Sequence, residues 1–170
     1  MTLSQSDLFD LLDALRVETR TVEHPPTMTV ADGRGVKASM PGGHTKNLFL
    51  RDKKRSLFLV SAHCDAKIDL ASLGPRLGAR GRLSFASAEA LQQTLGVPPG
   101  SVTALALANP GAKVLAGVAF DKTLFDHDRV WFHPLRNDAS TAIAPDDLMA
   151  FARHCGFAPL VLDLAVDSRA

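Results

Sequence analysis

The sequence predicts an α/β (α+β) protein, a mixed and mostly antiparallel curved sheet or partial barrel with helices packed around it. Three observations predict this. Thr45 to Arg51 and Ser56 to Ala62 are apolar segments on either side of the charged turn Asp52-Lys53-Lys54-Arg55, and they read as a hairpin. Val102 to Ala108 and Lys113 to Phe120 flank Asn109-Pro110-Gly111-Ala112 and read as a second hairpin. Three amphipathic stretches carry helix signals, and their order among the strands is no βαβ repeat. The 170 residues show no repeat, linker or low-complexity segment, so one domain over 1–170 is expected.

Ser4 to Arg16 is the first helix. Ser4 caps it with Asp7 three residues on, and Leu8, Leu11, Leu12 and Leu15 form one stripe. Thr19 to Glu23 is a short strand that ends at His24-Pro25-Pro26, where two prolines force an extended exit. Thr29 to Asp32 is another capping box, weakened by Gly33 and Gly35. Ser56 to Ala62 is apolar on both faces and reads as a central strand. Asp69 to Leu73 is a short helix stopped by Gly74-Pro75, and Arg82 to Phe85 a short strand. Ser87 caps a helix that ends at Leu95, with Gly96 just past it. Lys122 to Phe125 is a helical turn at most, and Arg129 to His133 a strand ended by Pro134. Pro145 opens the last helix at its first position, and Gly156 closes it. Leu160 to Leu162 is expected as a final buried strand.

Composition excludes several classes of function. A net charge of +1 supplies no global field to draw the chain onto nucleic acid, so no DNA partner is expected. No apolar run reaches membrane-spanning length, and no membrane partner is expected. Asp7, Asp10 and Asp13 inside the first amphipathic segment are foreign to a signal peptide. Cys64 and Cys155 lack CxxC spacing, which fits a reduced, cytoplasmic compartment without a disulfide framework.

Cofactor motifs are missing too. The histidines at 24, 44, 63, 127, 133 and 154 form no HExxH, and His63-Cys64-Asp65 lacks a second cluster at ligand spacing. Gly74, Gly78 and Gly81 do not link an apolar strand to a helix, so they are no dinucleotide fingerprint. Gly100-Ser101 lacks the GxSxG frame of a nucleophile elbow. No metal and no cofactor is expected.

Two features remain. In Gly42-Gly43-His44-Thr45-Lys46-Asn47-Leu48-Phe49-Leu50, strand alternation puts Lys46, Leu48 and Leu50 on one face and Thr45, Asn47 and Phe49 on the other. An ammonium beside two leucines either snorkels to solvent or needs an anionic or carbonyl partner in a cleft. His133 ends its strand before Pro134-Leu135-Arg136-Asn137-Asp138, and is bonded to its own loop or set in a cleft.

The lysine motif, Gly100-Ser101-Val102-Thr103 and Phe132-His133-Pro134-Leu135-Arg136-Asn137-Asp138 together resemble the YbaK/ProX family. More closely they are similar to its free-standing prolyl-tRNA editing branch, the alanyl-tRNA(Pro) deacylases of ProXp-ala type. The likeness runs from the first helix to the last strand. It implies the YbaK/ProRS-associated fold and hydrolysis of the ester joining a wrong amino acid, alanine above all, to tRNA(Pro). It implies Lys46 and His133 as the catalytic side chains, Lys46 on a phosphate or carbonyl and His133 on the ribose hydroxyl or the water. Asn47, Gly100, Ser101, Thr103, Ala106 and Asn137 are the implied substrate contacts. The partners implied are the acceptor end of tRNA(Pro) and prolyl-tRNA synthetase, with Arg51, Lys53, Lys54 and Arg55 either on the acceptor stem or simply a solvated turn. A non-catalytic tRNA- or synthetase-binding module of the same fold is the alternative. Two places depart from the pattern: His63-Cys64 at the end of the central strand is unlike the family, and related members commonly carry Phe-Gly-Leu where this chain has Leu105-Ala106-Leu107. Ala106 is thus expected to add a methyl and lose positive φ beside the scissile bond.

Overall fold

A computed structural model of the protein describes residues 2–26 and 40–164. The capping box expected at Thr29 to Asp32 lies outside them. Among the described residues the strands are β1 (Thr19–Glu23), β2 (Gly43–Arg51), β3 (Leu57–His63), β4 (Ser84–Phe85), β5 (Gly117–Asp121), β6 (Val130–Phe132), β7 (Ala139–Ile143) and β8 (Leu160–Leu162). The helices are α1 (Gln5–Ala14), α2 (Leu70–Leu77), α3 (Ala88–Leu95) and α4 (Pro145–His154). The strands make one sheet in the order β1-β7-β6-β2-β3-β5-β8, with β4 added to β2. The pairs β1–β7, β6–β7, β2–β3 and β2–β4 are antiparallel, whereas β2–β6, β3–β5 and β5–β8 are parallel. The sheet is therefore mixed with an antiparallel majority, as the sequence predicts.

Two apolar layers cover its faces. On one side Phe49, Leu59, Phe120, Val130 and Phe132 pack with Leu8 and Leu12 of α1, Leu91 and Leu95 of α3, and Leu148 and Phe151 of α4. On the other, Leu50, Phe58, Val60 and Ala119 meet Leu73 and Leu77 of α2. Alternation along β2 makes both layers possible, since Phe49 enters the first and Leu50 the second. The capping box of α1 forms as read: Ser4 Oγ accepts the Asp7 amide at 3.0 Å and the Asp7 carboxylate accepts the Ser4 amide at 3.4 Å. The charged turn is held by Asp52, whose carboxylate accepts the amides of Lys54, Ser56 and Arg80 at 2.8–2.9 Å. The Arg80 amide first, then those of Ser56 and Lys54, hold that carboxyl below the usual carboxylate range.

Several expectations are overturned. No second hairpin forms: Ala104–Ala108 and Pro110–Val114 are 3-10 turns, and the strand begins only at Gly117. Thr103 Oγ1 accepts the Leu105 amide at 3.2 Å, which starts a helical turn in a run rich in alanine, a poor strand former. The resulting strand pairs in parallel with β3 and β8 instead of with residues 102–108. Helix α2 does not stop at Gly74-Pro75 but runs through Pro75 to Leu77, with Gly78 as its cap. Its buried Leu73 and Leu77 hold the final turn despite the missing proline donor. Strand β8 is no buried strand, for Leu160 and Val161 are 43% and 45% exposed at the sheet edge. Strand β7, Ala-Ser-Thr-Ala-Ile, has small residues and no alternation, so the sequence offers no strand signal there.

Candidate active site

The sheet has a break. On one edge, β2 pairs with β6 only at Gly43 and His44, and with β4 only at Leu50 and Arg51. Between those contacts that edge meets no other strand among the described residues. A cavity of about 210 Å³ opens at the break, lined by Thr45, Lys46, Asn47, Gly100, Val102 and His133. The residues that form it lie far apart in sequence and come together through the crossing of β2 and β6 and the loop before the first 3-10 turn.

Gly42 sets the entry of β2. Its φ is +122°, and a Cβ there would lie 2.5 Å from the Arg129 carbonyl oxygen, so no larger residue fits. The strand is further pinned by Trp131, whose Nε1 donates to the Pro41 carbonyl at 3.0 Å and whose ring stacks on His44. Lys46 then emerges on the face of Leu48 and Leu50. Its Nζ donates to the backbone carbonyl of Ala66, so the carbonyl-partner alternative describes it rather than free snorkelling. Ala66 belongs to the turn after β3, where the Cys64 amide donates to His44.

His133 is half-buried. Its Nδ1 lies 2.9 Å from the Ala139 carbonyl oxygen, which can only accept, so Nδ1 carries the proton and Nε2 keeps its lone pair. Burial is the main cause holding its pKa below the ordinary 6.5; His24, with ring centroids 6.3 Å apart, pushes the same way, against the Ala139 carbonyl and Asp138. Both alternatives for His133 therefore hold at once: it is bonded to its own loop and it lines a cleft. His24 is itself tied down, with Nδ1 2.9 Å from the Pro25 carbonyl and Nε2 2.8 Å from Ser140 Oγ.

The rest of the His-Pro-Leu-Arg-Asn-Asp segment is framework. Arg136 donates to Asp138 at 2.7 Å, to Glu23 of β1 at 3.0 Å and to Gln5 of α1 at 3.0 Å. Its guanidinium pKa is raised by these carboxylates, Asp138 first. Leu135 adopts φ +70°, unusual for a leucine, and packs against the main core. Asn137 Nδ2 lies 3.5 Å from where a Cβ on Gly100 would stand, which brings that loop against the cavity rim. Gly100 has φ +93° and needs its missing side chain there.

Of the expected contacts, Asn47 and Gly100 line the cavity beside Lys46 and His133. Ser101, Thr103 and Ala106 do not; they are 2%, 0% and 0% exposed in the core. Ala106 sits in a 3-10 turn, outside the positive-φ region, with its methyl in the core. Thr45 and Val102 also line the cavity. Thr45 was legible as a neighbour on the Asn47 face, and Val102 as part of the Gly100-Ser101-Val102-Thr103 motif.

Two other features were weighed in sequence. Arg51, Lys53 and Arg55, with Asp52, Arg82 and Ser84, line a second, larger cavity of about 340 Å³. His63, Cys64 and Asp65 bring donor atoms within 4.8 Å of one another. The His63 Nδ1 lone pair already accepts the Asp65 amide at 3.1 Å, and the Asp65 side chain is 88% exposed. Three donors from consecutive residues thus close a turn, and the arrangement fits a metal poorly. Burial pushes the Cys155 thiol up to about 11, which keeps it inert.

Comparison with known proteins gives the family and the fold. The family described as "Aminoacyl-tRNA editing domain" matches residues 24–151. The prolyl-tRNA synthetase associated domain-containing protein 1 of Mus musculus is 34% identical over 163 residues, which cover 94% of this chain and 95% of that protein. The prolyl-tRNA editing protein ProX of Acetoanaerobium sticklandii is 36% identical over 146 residues, covering 85% and 88%. A crystal structure described as a candidate trans-editing enzyme for prolyl-tRNA synthetase shares the fold, with a TM-score of 0.69, 21% identity and 94% and 98% coverage. With its cavity built from the lysine strand, the glycine loop and the His133 segment, the chain belongs to the aminoacyl-tRNA editing domain family.

Proposed function

We propose that the protein is a cytoplasmic trans-editing deacylase that hydrolyses the ester of mischarged tRNA(Pro), with Ala-tRNA(Pro) as its main substrate. The observation that carries this reading is the single cavity shared by Lys46, Asn47, Gly100 and His133 in a member of an aminoacyl-tRNA editing family. An aminoacyl ester is already activated, so a site that fixes the terminal nucleotide and orients one water suffices.

An ammonium has three donors and Lys46 gives one to Ala66, so the others serve the terminal phosphate as a point charge. Neutral His133 offers Nε2 to the attacking water. As the water oxygen bonds to the ester carbon, its proton passes to Nε2. The C–O bond to the ribose then breaks, and the leaving ribose oxygen takes that proton. Gly100 and Asn137 form the rim against which the terminal nucleotide rests. Selection against proline follows from shape in a cavity this small, since one methylene in an apolar pocket discriminates by only about 1–3 kcal/mol.

The basic wall of Arg51, Lys53, Arg55 and Arg82 lies toward the far end of β2. The five strand steps from Lys46 to Arg51 span ~17 Å. That reach fits the acceptor stem while the terminal adenosine occupies the cavity. Incubation of the protein with Ala-tRNA(Pro) is expected to release alanine, with Pro-tRNA(Pro) left intact. No release from any mischarged tRNA(Pro) would sink the reading and leave a binding module.

A further inference from the structure

A serine in the middle of an apolar central strand needs a reason. Ser61 of β3 is fully buried between Val60 and Ala62, themselves at 0% exposure. It stands directly across from Asn47 in the β2–β3 register. Its Oγ is 2.5 Å from Asn47 Oδ1. Asn47 Nδ2 is in turn 3.4 Å from Thr45 Oγ1, and Thr45 Oγ1 is 2.6 Å from the Trp131 carbonyl oxygen.

The proton directions in this chain follow from its end. A backbone carbonyl can only accept, so the Thr45 hydroxyl spends its proton on Trp131. Thr45 Oγ1 is then left with lone pairs alone, and the Asn47 group that faces it must be the NH2. That turns Asn47 Oδ1 toward Ser61, which must donate. The chain Ser61 → Asn47 → Thr45 → Trp131 thus has one sense across β3, β2 and β6. It fixes the Asn47 amide with Oδ1 on Ser61 and Nδ2 on Thr45 Oγ1, which leaves Nδ2 a second hydrogen to give at the cavity that Thr45 and Asn47 line.

We infer that Ser61 is a positioning residue that locks Asn47 as a hydrogen-bond donor toward the ester oxygen that becomes negative during hydrolysis. The inference rests on the deacylase reading above. Donors aimed where charge develops act most strongly when their orientation is fixed beforehand. With the lock gone, only the 3.4 Å contact to Thr45 Oγ1 holds the amide, and its oxygen competes with its nitrogen for the cavity side.

Three variants and one spectrum test it. Ser61→Ala is expected to lower kcat for alanine release from Ala-tRNA(Pro) about tenfold, with KM unchanged, because the lost orientation matters only in the transition state. Ser61→Thr keeps the hydroxyl and restores most of the rate. In the Asn47→Ala background, itself down about 100-fold, Ser61→Ala adds no further loss. In 15N-resolved NMR of the full chain, the Asn47 side-chain amide pair, assigned by its disappearance in Asn47→Ala, shifts in Ser61→Ala. Thermal midpoints of the variants guard against simple unfolding. The inference is overturned if Ser61→Ala keeps the wild-type rate, if its loss multiplies that of Asn47→Ala, or if the amide pair stays in place. Should the wild type release no amino acid at all, the deacylase reading fails by itself, and the amide spectrum alone decides whether Ser61 sets Asn47.

Discussion

Lys46 ties one of its three N–H donors to the Ala66 carbonyl, which aims the ammonium without neutralising it. Lys46→Ala is therefore expected to cut deacylation by about 100-fold or more while leaving the thermal midpoint unchanged. An unchanged rate would remove Lys46 from the mechanism. Lys46→Arg is expected to recover little, because a planar fork does not replace a point charge held against one carbonyl. His133 carries a pH signature. Its folded pKa lies below 6.5, mainly through burial, so the unfolded chain takes up this proton first as pH falls. The sign is thus a stability contribution present above pH 6.5 and lost as pH drops through the lower folded value. The rate follows the same group, since only the neutral ring offers Nε2. A rate profile is expected to be flat above pH 6.5, with an acid limb centred below it, and His133→Gln abolishes that limb. A limb centred above 6.5 would contradict the burial argument. Both residues were legible in the sequence as awkward groups at strand ends. Their partners were not, because backbone carbonyls such as those of Ala66 and Ala139 leave no mark in a sequence.

At the scale of elements, capped and amphipathic segments announced themselves. Ser4 with Asp7, Ser87 with Gly96, and Pro145 with Gly156 all bound helices where their signals lie. Two of the failures lie in segments without a polar face. The segments 104–108 and 114–120 are almost wholly apolar, so no period separates strand from 3-10 turn, and the Thr103 cap and Pro110 decide it. Strand β7 is likewise buried at every position and built of small residues. The cavity depended on these segments. Val102 reaches it only because the chain turns at Thr103, and Ala106 stays out of it for the same reason. This gives Ala106→Gly a definite outcome. Losing a buried methyl and adding backbone freedom is expected to cost about 1–2 kcal/mol of stability in denaturant unfolding. The preference for alanine over other amino acids is expected to stay as it is. A change of substrate preference in that variant would return Ala106 to the wall of the site.

At the scale of the molecule, a net charge of +1 hides a strong local asymmetry. The turn between β2 and β3 gathers Arg51, Lys53 and Arg55, and Arg82 joins them from the segment before β4. Asp52 sets one negative charge against these four positive ones, and its carboxylate accepts the amides of Arg80, Ser56 and Lys54. Its role is to fold the turn and fasten it to the Gly78–Gly81 loop, which fixes the basic side chains in one place. No α-helix among the described residues is long and apolar enough to cross a membrane. Composition could not disclose it, because total charge averages over the surface, whereas binding reads the local field. If the wall holds acceptor-stem phosphates, each arginine that makes such a contact displaces about one counterion. Arg51→Ala and Arg82→Ala are then each expected to raise KM for Ala-tRNA(Pro) and to flatten the slope of log affinity against log salt by about 0.7–0.9. Their kcat at saturating tRNA is expected to match the wild type, since neither residue lines the cavity of Lys46 and His133. Salt titrations of binding and kinetics at two ionic strengths separate the effects. A KM and salt slope equal to wild type in both variants would return the turn to being only a solvated loop.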